Sequence, residues 1–251
     1  METFLSYIPL DIALIAENFD RFLYGVWVTL NLTFLSLLLG GLLAIPMAIA
    51  RASRHRVLNP MVWSYTYVLR GTPLLVQTYL IYYGLGQFET VRQSWLWDPI
   101  LSSAWWCALI AFTLNTAAYT TELLRGAIVD TPTGEVEAAI ATGHSYRSRM
   151  RRIILPSAFR RAIPAYSNEV IFMLHGSVVA STITLQDILG VGRWLNGRYY
   201  LAYEGFITAA LLYFLIVFAI TRVFRWIERR YLRHLTRRET TKDAPATPEP
   251  T

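Results

Sequence analysis

Long apolar runs alternate along this chain with short polar stretches that carry most of its arginines. Five runs stand out, at about Phe22–Ala50, Met61–Gly86, Ala104–Leu124, Ser157–Leu185 and Leu201–Ile220. Each reaches the roughly 20 mainly apolar residues that a helix needs to cross hydrocarbon. Charge is nearly excluded from them. Glu89 is the one charged residue between Gly71 and Val91, and neither Val170–Gln186 nor Gly205–Thr221 contains Asp, Glu, Lys or Arg. Helices are the default in such runs because no water is available to satisfy the main chain. Pro46, Pro73 and Pro164 lie inside three of them and mark places where the helical ladder can break. The pattern predicts an all-α membrane protein with five transmembrane helices.

The connections set the direction. The first holds Arg51, Arg54 and Arg56; the third holds Arg147, Arg149, Arg151 and Arg152, with Arg160 and Arg161 just inside the next run. The C-terminal region from Arg222 adds seven arginines and Lys242. The second connection has only Arg92, beside Glu89 and Asp98, and the fourth sets Arg193 and Arg198 against Asp187 and Glu204. Basic connections stay in the cytoplasm. The expected domains are therefore a periplasmic N-terminal segment over 1–21, a five-span domain over 22–235 and a disordered cytoplasmic tail over 236–251. The tail from Glu239 is polar and proline-rich. Trp95, Trp97, Trp105 and Trp106 cluster at one outer edge, as an interfacial belt would. No charged segment precedes the first apolar residues, so a cleaved signal peptide is not expected.

Composition agrees with this reading. Hydrophobic residues make up 54% and charged residues 16%, against about 25% charged in soluble domains, and mean hydropathy is +0.36. The net charge of +6 flanks the apolar runs, which fits membrane orientation better than nucleic-acid binding. Cys107 is the single cysteine, so no intrachain disulfide or cysteine metal cluster can form, and no His/Glu/Cys group has metal-ligand spacing. No metal and no cofactor are expected. Lys242 is the only lysine and stands in the tail. A phosphate-binding loop needs a lysine after a glycine-rich turn, so the chain carries no P-loop ATPase. Nor does it offer a nucleophile–base pair, and no catalytic residue is assigned.

One stretch does not fit a purely apolar protein. The third connection reads "TPTGEVEAAIATGHSYRSRMRRIILPSAF" over residues 131–159. Thr131 suits a helix N-cap and Pro132 the first helical position. Gly143 suits a C-terminus that needs a left-handed residue. The expected element is a short cytoplasmic helix near 133–147 with Ala138, Ala139 and Ala141 keeping one surface slim. By physics alone it is either a solvated loop helix or a docking surface.

Polar groups inside the spans are costly and are functional candidates by default. Glu169 and Asn168 fall near the middle of the fourth span. Asn168, His175 and Thr182 recur every seven residues, nearly two helical turns, and Glu169 lies about 100° around from Asn168. Glu169 either binds the ammonium or guanidinium of a cationic substrate or pairs with an arginine of a partner chain. In the second span, Arg70 precedes Gly71, Thr72 and Pro73. A break there would free main-chain groups, as in transporters whose broken helices face substrate. Arg70 or those groups receive a substrate carboxylate, or Arg70 holds spans together. Asn115, Tyr119 and Glu122 share one face of the third span, and Glu122 stands three residues before Arg125, a helical ion-pair spacing. Glu122 is kept as a site or gate candidate.

Three motifs resemble one family. Glu137-Ala138-Ala139, Gly143, Ile153 and Leu155-Pro156 stand at the spacing of the signature of permease subunits of bacterial binding-protein-dependent ABC importers. "RGTPLLVQ", Arg70–Gln77, is similar to the polar amino acid branch of that family. "PAYSNEVIFMLHGS", Pro164–Ser177, resembles the histidine/lysine/arginine/ornithine permeases and their opine-importing relatives. His175 stands where many polar amino acid permeases carry lysine, and the histidine-type members resemble this chain instead. The resemblance implies the type I ABC importer permease fold in the inner membrane, a coupling helix that touches an ATPase through Glu137, Ala138, Ala139, Gly143, Leu155 and Pro156, and import of a basic amino acid or an opine. It also implies a related permease subunit as heterodimer partner, two ATP-binding cassette subunits and a periplasmic binding protein. The competing readings are a self-contained secondary transporter driven by an ion gradient and a membrane-embedded enzyme; the single coupling-type helix and the lack of an internal repeat speak against the first, and no catalytic constellation supports the second.

Overall fold

The apolar runs become helices that end close to where the polar residues begin. The computed structural model describes residues 12–231; the expectations for the chain's first residues and for the tail with Lys242 lie outside the described residues. Helices α1 (Ile12–Glu17) and α2 (Phe19–Ala52) cover the first run, and Pro46 sits inside α2 without ending it. The second run is divided into α3 (Leu58–Gly71) and α4 (Leu74–Tyr79), the latter continuing through a π-helical turn, Leu80–Gly84, and a 3-10 turn, Leu85–Gln87. After the short α5 (Glu89–Arg92), α6 (Ala104–Val129) forms the third run. Helices α7 (Thr133–Ala141) and α8 (Tyr146–Arg149) fill the connection. A π-helical turn, Met150–Ile154, leads into α9 (Leu155–Gly176), which tightens into a 3-10 segment, Ser177–Ile183. Helices α10 (Ile188–Tyr199) and α11 (Ala202–Tyr231) complete the described chain. No strand occurs among the described residues.

Phe19–Ala52 and Ala202–Arg230 are each long and apolar enough to cross a membrane, and Tyr146–Ile183 with Ile188–Tyr199 qualifies as a pair bent by about 40°. Helix α10 was not expected: the sequence reading placed its residues in a connection. Its start is fixed by Asp187, which is fully buried. The Asp187 carboxylate accepts from the Gly190 main-chain N–H at 2.8 Å and from the Tyr213 hydroxyl at 3.1 Å. The Ile188 N–H in turn donates to the Thr29 hydroxyl at 3.3 Å. One buried N-cap therefore ties α10 to α2 and α11.

Small residues set how closely the helices meet. Along α2 the buried face reads Gly25, Thr29, Thr33, Ser36, Gly40, Ala44 and Ala48, and α6 answers with Ala108, Ala111, Thr116, Ala117 and Ala118. Without a hydrophobic drive between helices in lipid, close approach of backbones supplies the packing energy. Three apolar clusters follow. Leu32, Phe112, Met173 and Ile183 join α2, α6 and α9; Ala44, Leu124, Ile128, Ile154 and Ala158 pack the other end; Phe22, Ile188, Val191, Leu195 and Ala209 seat α10 and α11 against α2.

The α10–α11 crossing brings two main chains into direct contact. A Cβ on Gly192 would stand 3.0 Å from the Gly205 carbonyl oxygen. Gly192→Val should therefore cost about 1–3 kcal/mol through overpacking, read as a lower melting temperature of the purified protein. Gly126→Ala, with nothing within 4 Å of the added atom, is the matched control and should leave melting unchanged or slightly raised.

Candidate functional site

Pro73 creates the central feature. It lacks the N–H that would bond to the Leu69 carbonyl, and it drives the residue before it into extended backbone. Thr72 accordingly takes φ −115° and ψ 141°, and the helix parts between Gly71 and Leu74. The freed carbonyls are satisfied from elsewhere. Gln77 Nε2 donates to the Leu69 carbonyl at 2.7 Å, to the Thr72 carbonyl at 3.0 Å and to Thr72 Oγ1 at 2.8 Å. The Tyr119 hydroxyl donates to the Arg70 carbonyl at 3.3 Å. Gln77 is itself held by Asn115, whose Nδ2 donates to Gln77 Oε1 at 3.1 Å.

Beside this break lies a cavity of about 610 Å³, within the range of small-molecule sites. Its polar lining comes from Arg70, Thr72, Asn115, Tyr119 and Glu169, and its apolar lining includes Leu74, Phe172 and Met173. The Arg70 guanidinium sits over the Tyr119 ring, 5.3 Å from its centroid. Glu169 is buried. Arg70 is the cation whose field reaches it, yet no direct ion pair joins the two. The cavity thus holds a carboxylate and a guanidinium, each with unspent hydrogen-bonding capacity, on opposite elements α9 and α3.

Of the expected candidates, the structure brings Arg70, Gly71, Thr72 and Glu169 together here. It does not bring Asn168, His175 or Glu122. Asn168 and His175 are exposed on α9 and do not line the cavity. The stripe expected to run on to Thr182 stops short, because the backbone tightens to a 3-10 helix after Gly176 and the seven-residue recurrence holds only at the α-helical repeat. Glu122 lies apart. It accepts from Arg51 Nε at 3.0 Å, from Arg125 Nε at 2.7 Å and from the Thr66 hydroxyl at 2.9 Å. The expected pair with Arg125 is present, but Arg51 and Thr66 make it a knot joining α2, α3 and α6. Gln77 and Asn115 carry the geometry of the break and were not assigned a site role from sequence; the available signal was an amide one helical turn beyond a mid-span proline.

The connection helix α7 is capped one residue later than the sequence predicts. Pro132 is the cap and Thr133 the first helical residue. The Thr131 hydroxyl donates to the Ile128 carbonyl of α6 at 2.8 Å, and its oxygen, the atom that would cap α7, accepts instead from Arg161 at 2.9 Å. At the other end Gly143 adopts φ +75°. Its N–H bonds to the Ile140 carbonyl at 2.9 Å and the His144 N–H to the Ala139 carbonyl at 3.0 Å, the paired bonds of a Schellman ending. Arg161 fixes the helix against the bundle. It donates to the Ala127 carbonyl at 2.8 Å, to Thr131 Oγ1 at 2.9 Å and to Ser157 Oγ at 2.6 Å, and Ser157 donates to Glu135 at 2.9 Å. Ala138, Ala139 and Pro156 line one cleft of about 550 Å³ behind α7. Leu155 packs inward against the Ala44–Ile154 cluster, and Glu137 is exposed.

Removing the Glu122 carboxylate would strand two guanidinium groups at a half-buried position. Glu122→Ala should cost about 1–3 kcal/mol, seen as a fall in melting temperature, while ligand binding in the cavity, which Glu122 does not line, persists. Lost ligand affinity with unchanged melting would contradict this placement.

The sequence and the fold have counterparts among known proteins. Residues 14–233 match the family model described as "Binding-protein-dependent transport system inner membrane component". The chain is 45% identical over 212 residues to the histidine/lysine/arginine/ornithine transport system permease protein HisM of Salmonella typhimurium, covering 84% of this chain and 90% of that one. It is 42% identical over 215 residues to the nopaline transport system permease protein NocM of Agrobacterium fabrum, covering 85% and 89%. A solved structure titled "Crystal structure of an amino acid ABC transporter with histidines" superposes with a TM-score of 0.79 at 31% identity, over 89% of this chain and 100% of that one. Family match, relatives of near-equal length and shared fold agree: this chain belongs to the inner membrane components of binding-protein-dependent transport systems.

Proposed function

We propose that this chain, a permease subunit of an amino acid ABC importer, moves basic amino acids from the periplasm to the cytoplasm, with opines as the alternative cargo. The observation that carries the reading is the cavity that faces Glu169 with Arg70 at the helix break. A basic amino acid offers a carboxylate and two cationic groups. Arg70 is suited to the carboxylate, because a guanidinium binds it through two parallel bonds. Glu169 is suited to the side-chain ammonium or guanidinium. The names of the permeases for histidine, lysine, arginine and ornithine and for nopaline support this class of cargo; nopaline keeps the opine alternative open.

In this reading residues 22–235 form five spans, the second broken at Pro73 and the fourth bent after Ile183, with the N-terminus periplasmic and the C-terminus cytoplasmic. The arginine-rich connections support that orientation. The partners are a related permease subunit, two ATP-binding cassette subunits and a periplasmic binding protein. Helix α7 is the coupling helix: Glu137 and Gly143 present its exposed side and ending to the ATPase, Ala138 and the buried Ala139 let it lie close over the cleft behind it, and Leu155 and Pro156 anchor the helix that follows. The Arg161–Ser157–Glu135 chain then transmits its displacement to α6 and α9. Asn168 and His175, exposed on α9, meet the partner permease or substrate held between the two permeases.

Glu169→Gln keeps shape and removes charge. In the complete importer it should lower arginine affinity at least ten-fold while the complex still assembles and hydrolyses ATP; unchanged affinity in titration calorimetry would refute the cavity as the cation site. Gly143→Val imposes a left-handed β-branched residue, a strain of roughly 1–2 kcal/mol. Assembly should persist, and binding-protein-stimulated ATP hydrolysis should no longer drive uptake into proteoliposomes. Normal uptake by this variant would remove α7 from the coupling role.

A further inference from the structure

Asn115 borders the cavity, is 7% exposed and comes from α6, the element between Arg70 and Glu169 in sequence. Which of its amide atoms faces the cavity is decided by hydrogen-bond chemistry that starts at Pro73. The Leu69 and Thr72 carbonyls can only accept. The Thr72 hydroxyl spends its proton on the Val68 carbonyl at 2.9 Å, so its oxygen also accepts from Gln77. All three atoms around that end of Gln77 are therefore acceptors, and only the amide nitrogen can sit among them. The Gln77 oxygen is left facing Asn115, where it needs a donor, so Asn115 must turn its nitrogen toward Gln77. Asn115 Oδ1 has no hydrogen-bond partner among the described residues. It is the atom that remains for the cavity.

We propose that Asn115 is a substrate-binding residue that presents its carbonyl oxygen to an N–H of the cargo's cationic group, with Gln77 as the positioning residue that fixes its polarity. The inference rests on reading the cavity as the substrate site. Its chemistry is selective. A guanidinium carries five N–H donors and an ammonium three, more than the Glu169 carboxylate satisfies from one side. A second acceptor, held so that it cannot rotate into a donor, favours such groups and disfavours a cargo that brings a lone pair to the same point. The proline that opens the helix thus also decides, through two amides, what kind of hydrogen bond the site offers.

The test is calorimetric titration of arginine into the purified complete importer. Asn115→Leu should weaken arginine binding about ten-fold or more, the worth of a hydrogen bond to a charged group. Asn115→Ser, which adds no bulk, should show the same loss with melting within a few degrees of wild type, so misfolding cannot explain it. Gln77→Leu should weaken binding by freeing Asn115 to rotate, and the double variant should lose no more than Asn115→Leu alone. If both Asn115 variants bind as wild type while Glu169→Gln loses affinity, the proposal fails and the cavity reading stands. If Glu169→Gln and both Asn115 variants all bind as wild type, the cavity reading fails and takes the proposal with it. Strictly additive losses from Gln77→Leu and Asn115→Leu would overturn the positioning role of Gln77.

Discussion

Every main-chain polar group that loses its helical partner inside an apolar bundle must find another, and this requirement organises the molecule. An unsatisfied carbonyl or N–H away from water costs several kcal/mol. At Pro73 the lost bond is replaced by Gln77. At the end of α6 the Ala127 carbonyl is taken by Arg161. At the start of α10 the Gly190 N–H is taken by Asp187. At the end of α7 the Ile140 and Ala139 carbonyls are taken by the turn at Gly143. Each repair employs a side chain or turn that also joins two elements, so the breaks in the helices are the places where the fold is tied together.

The same economy places chemistry at the breaks. A continuous helix through Arg70–Gln77 would turn its carbonyls inward and leave no opening. The interruption between Gly71 and Leu74 separates two helix ends and lets Arg70 and Thr72 border a cavity shared with Glu169. The repair of that interruption reaches Asn115 on α6, while Tyr119 on the same helix holds both the Arg70 carbonyl and, through its ring face, the Arg70 side chain. Helix α6 is therefore the rigid backing of the site, kept in place by its close small-residue contact with α2. At its far end the Glu122 cluster and the Arg161 chain connect it to α2, α3, α7 and α9.

Much of this was legible in the chain. The apolar runs located the long helices because exclusion of charge over 20 residues has few other physical explanations. Pro73 marked a possible break because proline lacks the donor; Pro46 and Pro164 lack it too and stay inside continuous helices, so which proline opens its helix was left to the surroundings. Gly143 announced its left-handed turn because few other residues tolerate one. Glu122 and Arg125 announced their pair because helical spacing alone brings them together. These are local rules, and each depends on residues within one or two turns of one another.

What the sequence did not determine are relations between elements distant along the chain. Thr131 satisfies every local criterion for a cap, yet its oxygen accepts from Arg161, 30 positions away. Asn168 and Glu169 are adjacent and chemically alike as site candidates; only the packing of α9 turns Glu169 inward and Asn168 outward. Glu122 and Arg125 pair by local spacing, but the second partner of that carboxylate, Arg51, comes from 71 positions away. Helix α10 was missed because its stability comes from Thr29 and Tyr213, on either side of it in space and far from it in sequence. Local periodicity and main-chain chemistry fix where helices run and where they must break. Which side chains then share a cavity, and which are spent on repairing the breaks, is decided by how the helices pack, because a hydrogen bond or ion pair between elements exists only once both have been placed.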